Sequence, residues 1–127
     1  MRIALAFALL AAPALAQPDW GTARDVEVRL SGFQYTPPRI ELQSGEAITL
    51  ELVNDLAAAR SFQAGRFFAA ADLPGRDRAR VRDGAIRLAP GERVTVRLVA
   101  PAPGTYEIRS ARILQAALGL RGRIVVR

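Results

Sequence analysis

The chain has 127 residues, half of them hydrophobic, and its 18 basic residues outnumber its 12 acidic ones to give a formal charge of +6. Every basic residue is arginine, histidine and cysteine are missing, and Met1 is the only methionine. These absences exclude an imidazole base, a thiolate nucleophile, disulfide bonds and the donors that bind soft metals. The length fits one domain with a single core.

The N-terminus has the pattern of a secretory signal. Met1 and Arg2 give a short positive start, residues 3–12 are apolar, and residues 14–16 (Ala-Leu-Ala) form a small-x-small cleavage site. The apolar run is shorter than the ~20 residues that span a bilayer. We therefore predict that residues 1–16 are a signal peptide and that the mature chain is a soluble periplasmic protein.

The sequence after residue 16 predicts an all-β domain. Residues 17–25 have no period and are predicted to be a flexible lead-in to a domain over 26–127. Apolar and polar residues then alternate in short runs, as in half-buried strands. Turn signals such as Ser44-Gly45 and Pro90-Gly91 separate these runs, which indicates an antiparallel sandwich or barrel. The runs are Val26–Leu30, Phe33–Tyr35, Ile40–Leu42, Ala47–Val53, Ser61–Phe62, Ile86–Leu88, Val94–Leu98, Tyr106–Ile108 and Ile124–Val126.

The middle of the chain is less regular. Residues 67–71 (Phe-Phe-Ala-Ala-Ala) are compatible with one helical turn or more, and the two phenylalanines are expected in the core. Residues 74–84 hold four arginines among two aspartates, which predicts a solvated loop or edge strand. An alternative is weak contact of this run with an anionic membrane surface, with Trp20 adding an apolar contact.

Six segments of the chain together form a recognisable pattern. They are Phe33-Gln34-Tyr35-Thr36-Pro37 with Ile40, Leu42, Gly45 and Ile48; Leu52-Val53-Asn54; Phe62 with Phe67–Ala71; Leu88-Ala89-Pro90-Gly91-Glu92; Pro103-Gly104-Thr105-Tyr106; and Gly119-x-x-Gly122-x-Ile124-Val125-Val126. In this order and spacing they resemble the cupredoxins, the small β-sandwich domains of blue-copper proteins such as plastocyanin and azurin. The resemblance covers about residues 26–127 and implies a Greek-key antiparallel β-sandwich of the cupredoxin type.

The resemblance also implies a copper site whose ligands this sequence lacks. The family's site uses two imidazoles, a thiolate and a long axial thioether. When the family pattern is matched to this chain, the first His falls at Arg60, the Cys at Ser110, the second His at Gln115 and the Met at Leu120. An arginine has no acceptor, serine supplies no thiolate, glutamine offers a hard oxygen and leucine offers no donor. We therefore predict no cofactor and no metal, although the family implies copper.

The leading interpretation is a binding or accessory module that has lost its copper site, working in envelope metal handling or redox systems. Its partner would be an unknown exported protein or an anionic ligand. Arg60, Arg112, Arg121 and Arg123 are the candidate contacts, because arginine binds carboxylates through bidentate hydrogen bonds. An alternative is that Arg60 is neutralised within the protein or points into solvent, and that Ser110 and Gln115 only satisfy backbone groups of their loop.

Other classes of function fit the sequence less well. Blue-copper electron transfer remains an alternative because the family implies it. Nucleic acid is not expected as a partner, since basic and aromatic residues do not interleave. For an enzyme only carboxylate pairs remain, such as Glu41 with Glu51 or Asp72 with Asp77. Alternation places Glu41 and Glu51 on outward strand faces, so we predict no enzymatic activity.

Overall fold

A computed structural model describes residues 18–31, 34–109 and 121–127 of the chain. This part contains nine strands and two short helices. In chain order they are β1 (Arg24–Ser31), β2 (Gln34–Thr36), β3 (Arg39–Leu42), β4 (Ala47–Asn54), β5 (Arg60–Gln63), α1 (Gly65–Ala70), α2 (Gly75–Arg78), β6 (Ala85–Leu88), β7 (Arg93–Val99), β8 (Gly104–Arg109) and β9 (Arg121–Val126).

The strands form two sheets that pack face to face. One sheet has four strands in the order β2-β1-β4-β7, and the other has five in the order β3-β9-β8-β5-β6. In β1 the side chains of Val26, Val28 and Leu30 are buried while Glu27 between them is exposed, and the other long strands alternate in the same way. The predicted all-β sandwich is confirmed, and the inward-facing residues of both sheets form one core.

Two strand pairs differ from a purely antiparallel sandwich. β1 runs parallel to β4, and β3 runs parallel to β9, whereas the other pairs are antiparallel. The chain crosses between the sheets after β2 and again after β3. The parallel neighbours, β1 with β4 and β3 with β9, are therefore not joined by hairpins. β1 also begins at Arg24, two residues before the predicted domain start.

Aromatic side chains join the two sheets at the centre of the core. The ring centroids of Tyr35 in β2 and Phe62 in β5 lie 5.8 Å apart, and those of Phe62 and Phe68 in α1 lie 6.0 Å apart. Both pairs meet edge to face, an arrangement worth about 0.5–1.5 kcal/mol beyond the burial of the rings. The predicted core position of Phe67 and Phe68 is confirmed, because both are buried.

The arginine-rich segment 74–84 differs from the loop or edge strand that its composition predicts. It contains helix α2, whose Arg78 turns back onto α1. The Arg78 guanidinium donates hydrogen bonds to the carbonyl oxygens of Phe68 and Ala71, each at 3.0 Å. Those carbonyls belong to the end of α1, where helical partners run out. One arginine of the run is therefore committed to the fold.

Two predicted turns are confirmed by backbone conformation. Gly45 and Gly91 have φ angles of +80° and +71°, in the left-handed region that favours glycine. They close the turns between β3 and β4 and between β6 and β7. Neither helix in the described part of the chain is long and apolar enough to cross a membrane.

Candidate functional site

Arg60, the position matched to the first copper ligand, begins β5. β5 runs antiparallel to β8, and its last residue, Gln63, lies opposite Arg109 at the end of β8. Arg60 therefore lies three residues, about 10 Å, beyond Arg109 along the strand direction. This places Arg60 at the end of the sandwich where β8 ends and β9 begins at Arg121.

Asn54 fixes the backbone at this end. Its side chain is fully buried, and its amide nitrogen donates hydrogen bonds to the carbonyl oxygens of Ala58 at 2.9 Å and Ala89 at 3.0 Å. Its amide oxygen accepts a hydrogen bond from the backbone N–H of Leu56 at 3.1 Å. The loop that leads to Arg60 is thereby tied to the turn after β6.

The Arg60 side chain belongs to the inner face of the five-stranded sheet. It is two residues from the buried Phe62, so both Cβ atoms lie on the same face of β5. Arg60 is partly buried, and its Nη1 donates a hydrogen bond of 2.9 Å to the carbonyl oxygen of Ala59. A permanent cation therefore occupies the position that the sequence pattern matches to the family's first imidazole.

The donor set does not fit a type 1 copper centre. Such a site needs imidazole and thiolate ligands, and the sequence contains neither. Arg60 has no lone pair to donate, and its positive charge repels Cu²⁺. Within residues 18–31, 34–109 and 121–127, no three His, Cys, Asp or Glu side chains are grouped so that they could hold a metal ion.

The remaining predicted positions fall between β8 and β9 in the sequence. Ser110, Arg112, Gln115 and Leu120 all lie outside the described residues. Of the positions matched to the four copper ligands, the structure therefore places Arg60 alone.

Arg121 and Arg123 lie on the opposite face of their sheet from Arg60. Both are exposed in β9, and they alternate with Gly122 and the buried Ile124. They line a groove of about 360 Å³ on the outer face of the five-stranded sheet, and Arg60 is not part of its wall. The structure thus brings two of the four predicted anion contacts together and directs Arg60 to another face.

Two further arginines of this groove were missed by sequence reasoning. Arg39 in β3 lies opposite Arg123, and Arg109 in β8 lies opposite Arg121. Alternation with buried neighbours indicates that each faces outward, and that signal was available in the sequence. The neighbours of each strand were not available, because strand order depends on the whole fold.

The carboxylate pairs considered for an enzyme differ in their placement. Glu41 belongs to β3 in the five-stranded sheet, whereas Glu51 belongs to β4 in the four-stranded sheet, where it forms an ion pair with Arg93, so these two are not brought together. Asp72 is exposed, but Asp77 is buried and bonded to Arg97. The Asp77 carboxylate is therefore committed to an ion pair within the fold.

Gly122 permits a close approach between the strands and the core below the groove. A Cβ atom at this residue would lie 3.0 Å from the carbonyl oxygen of Pro38, 3.2 Å from Tyr35 Cδ2 and 3.3 Å from Ile108 Cδ1. These separations are tighter than ordinary van der Waals contact, so a side chain here would have to displace its neighbours by a few tenths of an ångström, which favours glycine at this point of the cupredoxin-like pattern. Tyr35 beneath it is buried, and burial raises the pKa of its hydroxyl above the usual range.

The two tyrosines of the core give a matched prediction. The Tyr35 hydroxyl is buried with no hydrogen-bond partner among the described residues, whereas the Tyr106 hydroxyl donates to the carbonyl oxygen of Ala102 at 2.8 Å. We expect Tyr35→Phe to leave the free energy of unfolding unchanged or to raise it by about 1 kcal/mol, because an unsatisfied buried group is removed. Tyr106→Phe should lower it by about 0.5–1.5 kcal/mol. Urea denaturation measures both free energies of unfolding. A larger decrease for Tyr35→Phe than for Tyr106→Phe would show that the Tyr35 hydroxyl does have a hydrogen-bond partner.

The fold and the topology define the class of this protein as an all-β sandwich of the cupredoxin type, and solved structures agree. Auracyanin B superposes with a TM-score of 0.58 at 21% identity, over 83% of this chain and 89% of that protein. The reduced auracyanin of Roseiflexus castenholzii gives 0.60 at 20% identity, over 83% and 98%. Auracyanin A of Chloroflexus aurantiacus, described as a "blue" copper protein, gives 0.56 at 18% identity, over 81% and 98%.

Structural similarity at this level of identity shows the fold, so the chain has the cupredoxin fold. Neither a family model nor a curated protein matches the sequence. This chain combines the cupredoxin fold with a sequence that contains no histidine and no cysteine.

Proposed function

We propose that this chain is a cupredoxin-fold binding or accessory module that does not hold type 1 copper. The observation that carries the proposal is Arg60, a partly buried cation at the position of the first ligand, in a chain without imidazole or thiolate groups. The surrounding scaffold supports it. Asn54 still fixes the loop before Arg60, and Gly122 still admits the close packing beneath β9.

Packing between the two sheets supports a scaffold without a metal. The core contains side chains from both sheets, among them Phe62, Leu52 and Val96, each with no exposed surface. Burying a side chain of this size contributes about 1.5–3 kcal/mol relative to leaving it exposed. A core of this kind stabilises the domain independently of any metal, which makes a metal-free module physically reasonable. Residues 1–16 would act as its export signal and place it in the periplasm, where metal-handling or redox systems would use it.

A copper titration tests the proposal. The purified chain is mixed with one equivalent of Cu(II), its visible spectrum is recorded, and bound copper is measured after dialysis. We expect no intense charge-transfer band, because that band requires a thiolate ligand. We also expect no retained copper, because stable binding requires imidazole or thiolate donors. Arg60→His serves as a matched variant, and it should also stay colourless because one imidazole does not replace the thiolate.

The alternative of blue-copper electron transfer makes the opposite prediction. It follows from the fold shared with auracyanin A, which is described as a "blue" copper protein. A blue product from the unaltered chain would overturn the proposal and favour this alternative.

A further inference from the structure

The outer face of the five-stranded sheet carries an excess of arginine. Its strands alternate, so each presents one set of side chains to solvent and the other to the core. The outward set holds five arginines against two glutamates, a formal charge of +3. The charged residues are Arg39 and Glu41 of β3, Arg121 and Arg123 of β9, Glu107 and Arg109 of β8, and Arg87 of β6.

The outer face of the four-stranded sheet is balanced by comparison. Its outward charged residues are three arginines and three acids, namely Arg29, Arg93, Arg97, Asp25, Glu27 and Glu51. Each of these arginines forms an ion pair, for example Arg29 with Glu27 at 2.7 Å and Arg97 with Asp77 at 3.1 Å. The excess charge is therefore a property of one sheet and not of the strands in general.

Like charges also lie directly opposite one another on the basic face. Arg39 is paired in register with Arg123, and Arg109 with Arg121. Like charges at such positions are unfavourable in an isolated sheet. Arg109 is paired with Glu107 and Arg39 with Glu41, but Arg121 and Arg123 have no carboxylate partner among the described residues. Their guanidinium groups can receive an anion from outside the chain.

These arginines line a groove with the dimensions of a short peptide. The groove of about 360 Å³ along Arg39, Arg123 and Arg121 shares Glu107 and Arg109 with a second groove of about 400 Å³, which reaches Arg66 in α1. The two together extend from β3 across β9 and β8 to β5. Three strand spacings correspond to about 14 Å, and four extended residues span about the same distance.

We propose that these two adjoining grooves, lined by Arg39, Arg66, Arg109, Arg121 and Arg123, bind an extended acidic segment of a partner protein. The inference rests on the proposed function and names the partner's chemistry. The arginines bind the carboxylates through bidentate hydrogen bonds, and Glu107 accepts a hydrogen bond from a peptide N–H of the segment. A lipid surface fits less well, because the outward positions on β3, β9 and β8 carry no aromatic residue.

Binding of a fluorescein-labelled tetraglutamate peptide to the full chain tests this inference. Fluorescence anisotropy is measured at low salt for the unaltered chain, for Arg121→Gln/Arg123→Gln, and for Arg76→Gln/Arg80→Gln. The last variant removes the same charge from two exposed arginines outside the groove. We expect the groove variant to weaken binding at least tenfold, the control variant to weaken it less than threefold, and a tetraglutamine peptide not to bind.

Three outcomes would overturn the inference: equal losses in the two variants, no binding of tetraglutamate, or binding of phosphatidylglycerol vesicles or inorganic phosphate in place of the peptide. The copper titration is independent of these outcomes. A colourless protein that does not bind the peptide would refute only the inference that the grooves bind an acidic segment. A blue protein would refute the proposed function.

Discussion

Asn54→Ala should lower the free energy of unfolding by about 2–4 kcal/mol. The side chain is fully buried and contacts four backbone groups: the carbonyls of Ala58 and Ala89, the N–H of Leu56 and, at 3.4 Å, the carbonyl of Leu88. Leaving a buried polar group without a partner costs about 1–3 kcal/mol. Ala58 and Ala89 are exposed residues whose carbonyls can turn to water, so the sum stays below one full penalty for each group.

Urea denaturation followed by circular dichroism measures this loss, and two variants make it specific. Asn54→Asp should be destabilised at least as much at neutral pH, because it turns a carboxylate oxygen toward the three carbonyl oxygens that the amide nitrogen now contacts. Thr95→Ala, at an exposed position of β7, should stay within about 0.5 kcal/mol of the unaltered chain. If Asn54→Ala lowered the free energy of unfolding by less than about 0.5 kcal/mol, the loop would be held by other contacts.

The same substitution should change the dynamics at Arg60. Asn54 is the side chain that joins the loop of residues 55–59 to the turn after β6. Without it, hydrogen exchange of the loop amides should become faster than exchange in the centre of β4, since local opening no longer requires the strand to unfold. A variant whose loop amides keep their protection would separate stability from the positioning of Arg60.

Most of the fold could be predicted from local pattern. Alternation located the long strands, since a half-buried strand repeats every two residues. The Pro-Gly signal at residue 90–91 located a turn because its glycine adopts a positive φ angle. Parallel pairing of β1 with β4 and of β3 with β9 could not be predicted, because it depends on how the chain crosses between sheets.

The candidate site was predictable only in part, and for the same reason. The match of Arg60 to the family's first imidazole comes from counting along the sequence within a known pattern, and the structure adds only where that side chain lies. The basic face could not be found in this way, because Arg39 and Arg123 meet only through the register of β3 with β9. Composition also misled, since the arginine-rich run at 74–84 was expected to be a solvated loop or edge strand. Its Asp77 and Arg78 instead bond to β7 and α1, which composition alone does not indicate.

Asp77→Ala is expected to lower the free energy of unfolding by about 2–4 kcal/mol. Asp77 is 6% exposed, and its Oδ1 accepts the backbone N–H of Arg97 at 2.9 Å while its Oδ2 accepts Nη2 of the same residue at 3.1 Å. Removing one member of a buried ion pair costs about 3–5 kcal/mol. The Arg97 side chain is 37% exposed, so water screens part of the pair and reduces that cost.

Asp77→Asn separates the two roles of the carboxylate. The amide retains an oxygen for the Arg97 N–H but loses the charge that holds the guanidinium, so we expect about half the loss of Asp77→Ala. Asp25→Ala, which removes an exposed carboxylate with no ion pair among the described residues, should change stability by less than about 0.5 kcal/mol. Equal small effects of Asp77→Ala and Asp25→Ala would show that the pair does not stabilise the fold.

The fluorescence of Trp20 reports locally on the ion pair between Asp77 and Arg97. It is the only tryptophan in the chain, and the guanidinium carbon of Arg97 lies 5.4 Å from the centre of its ring. A cation in this position attracts the ring by about 0.5–1 kcal/mol when the site is exposed. Asp77 holds Arg97 in place, so Asp77→Ala should shift the native fluorescence of Trp20 toward that of a solvated indole before any unfolding. Asp25→Ala should leave the spectrum unchanged, and an unshifted spectrum in Asp77→Ala would mean that Arg97 stays on Trp20 without its carboxylate.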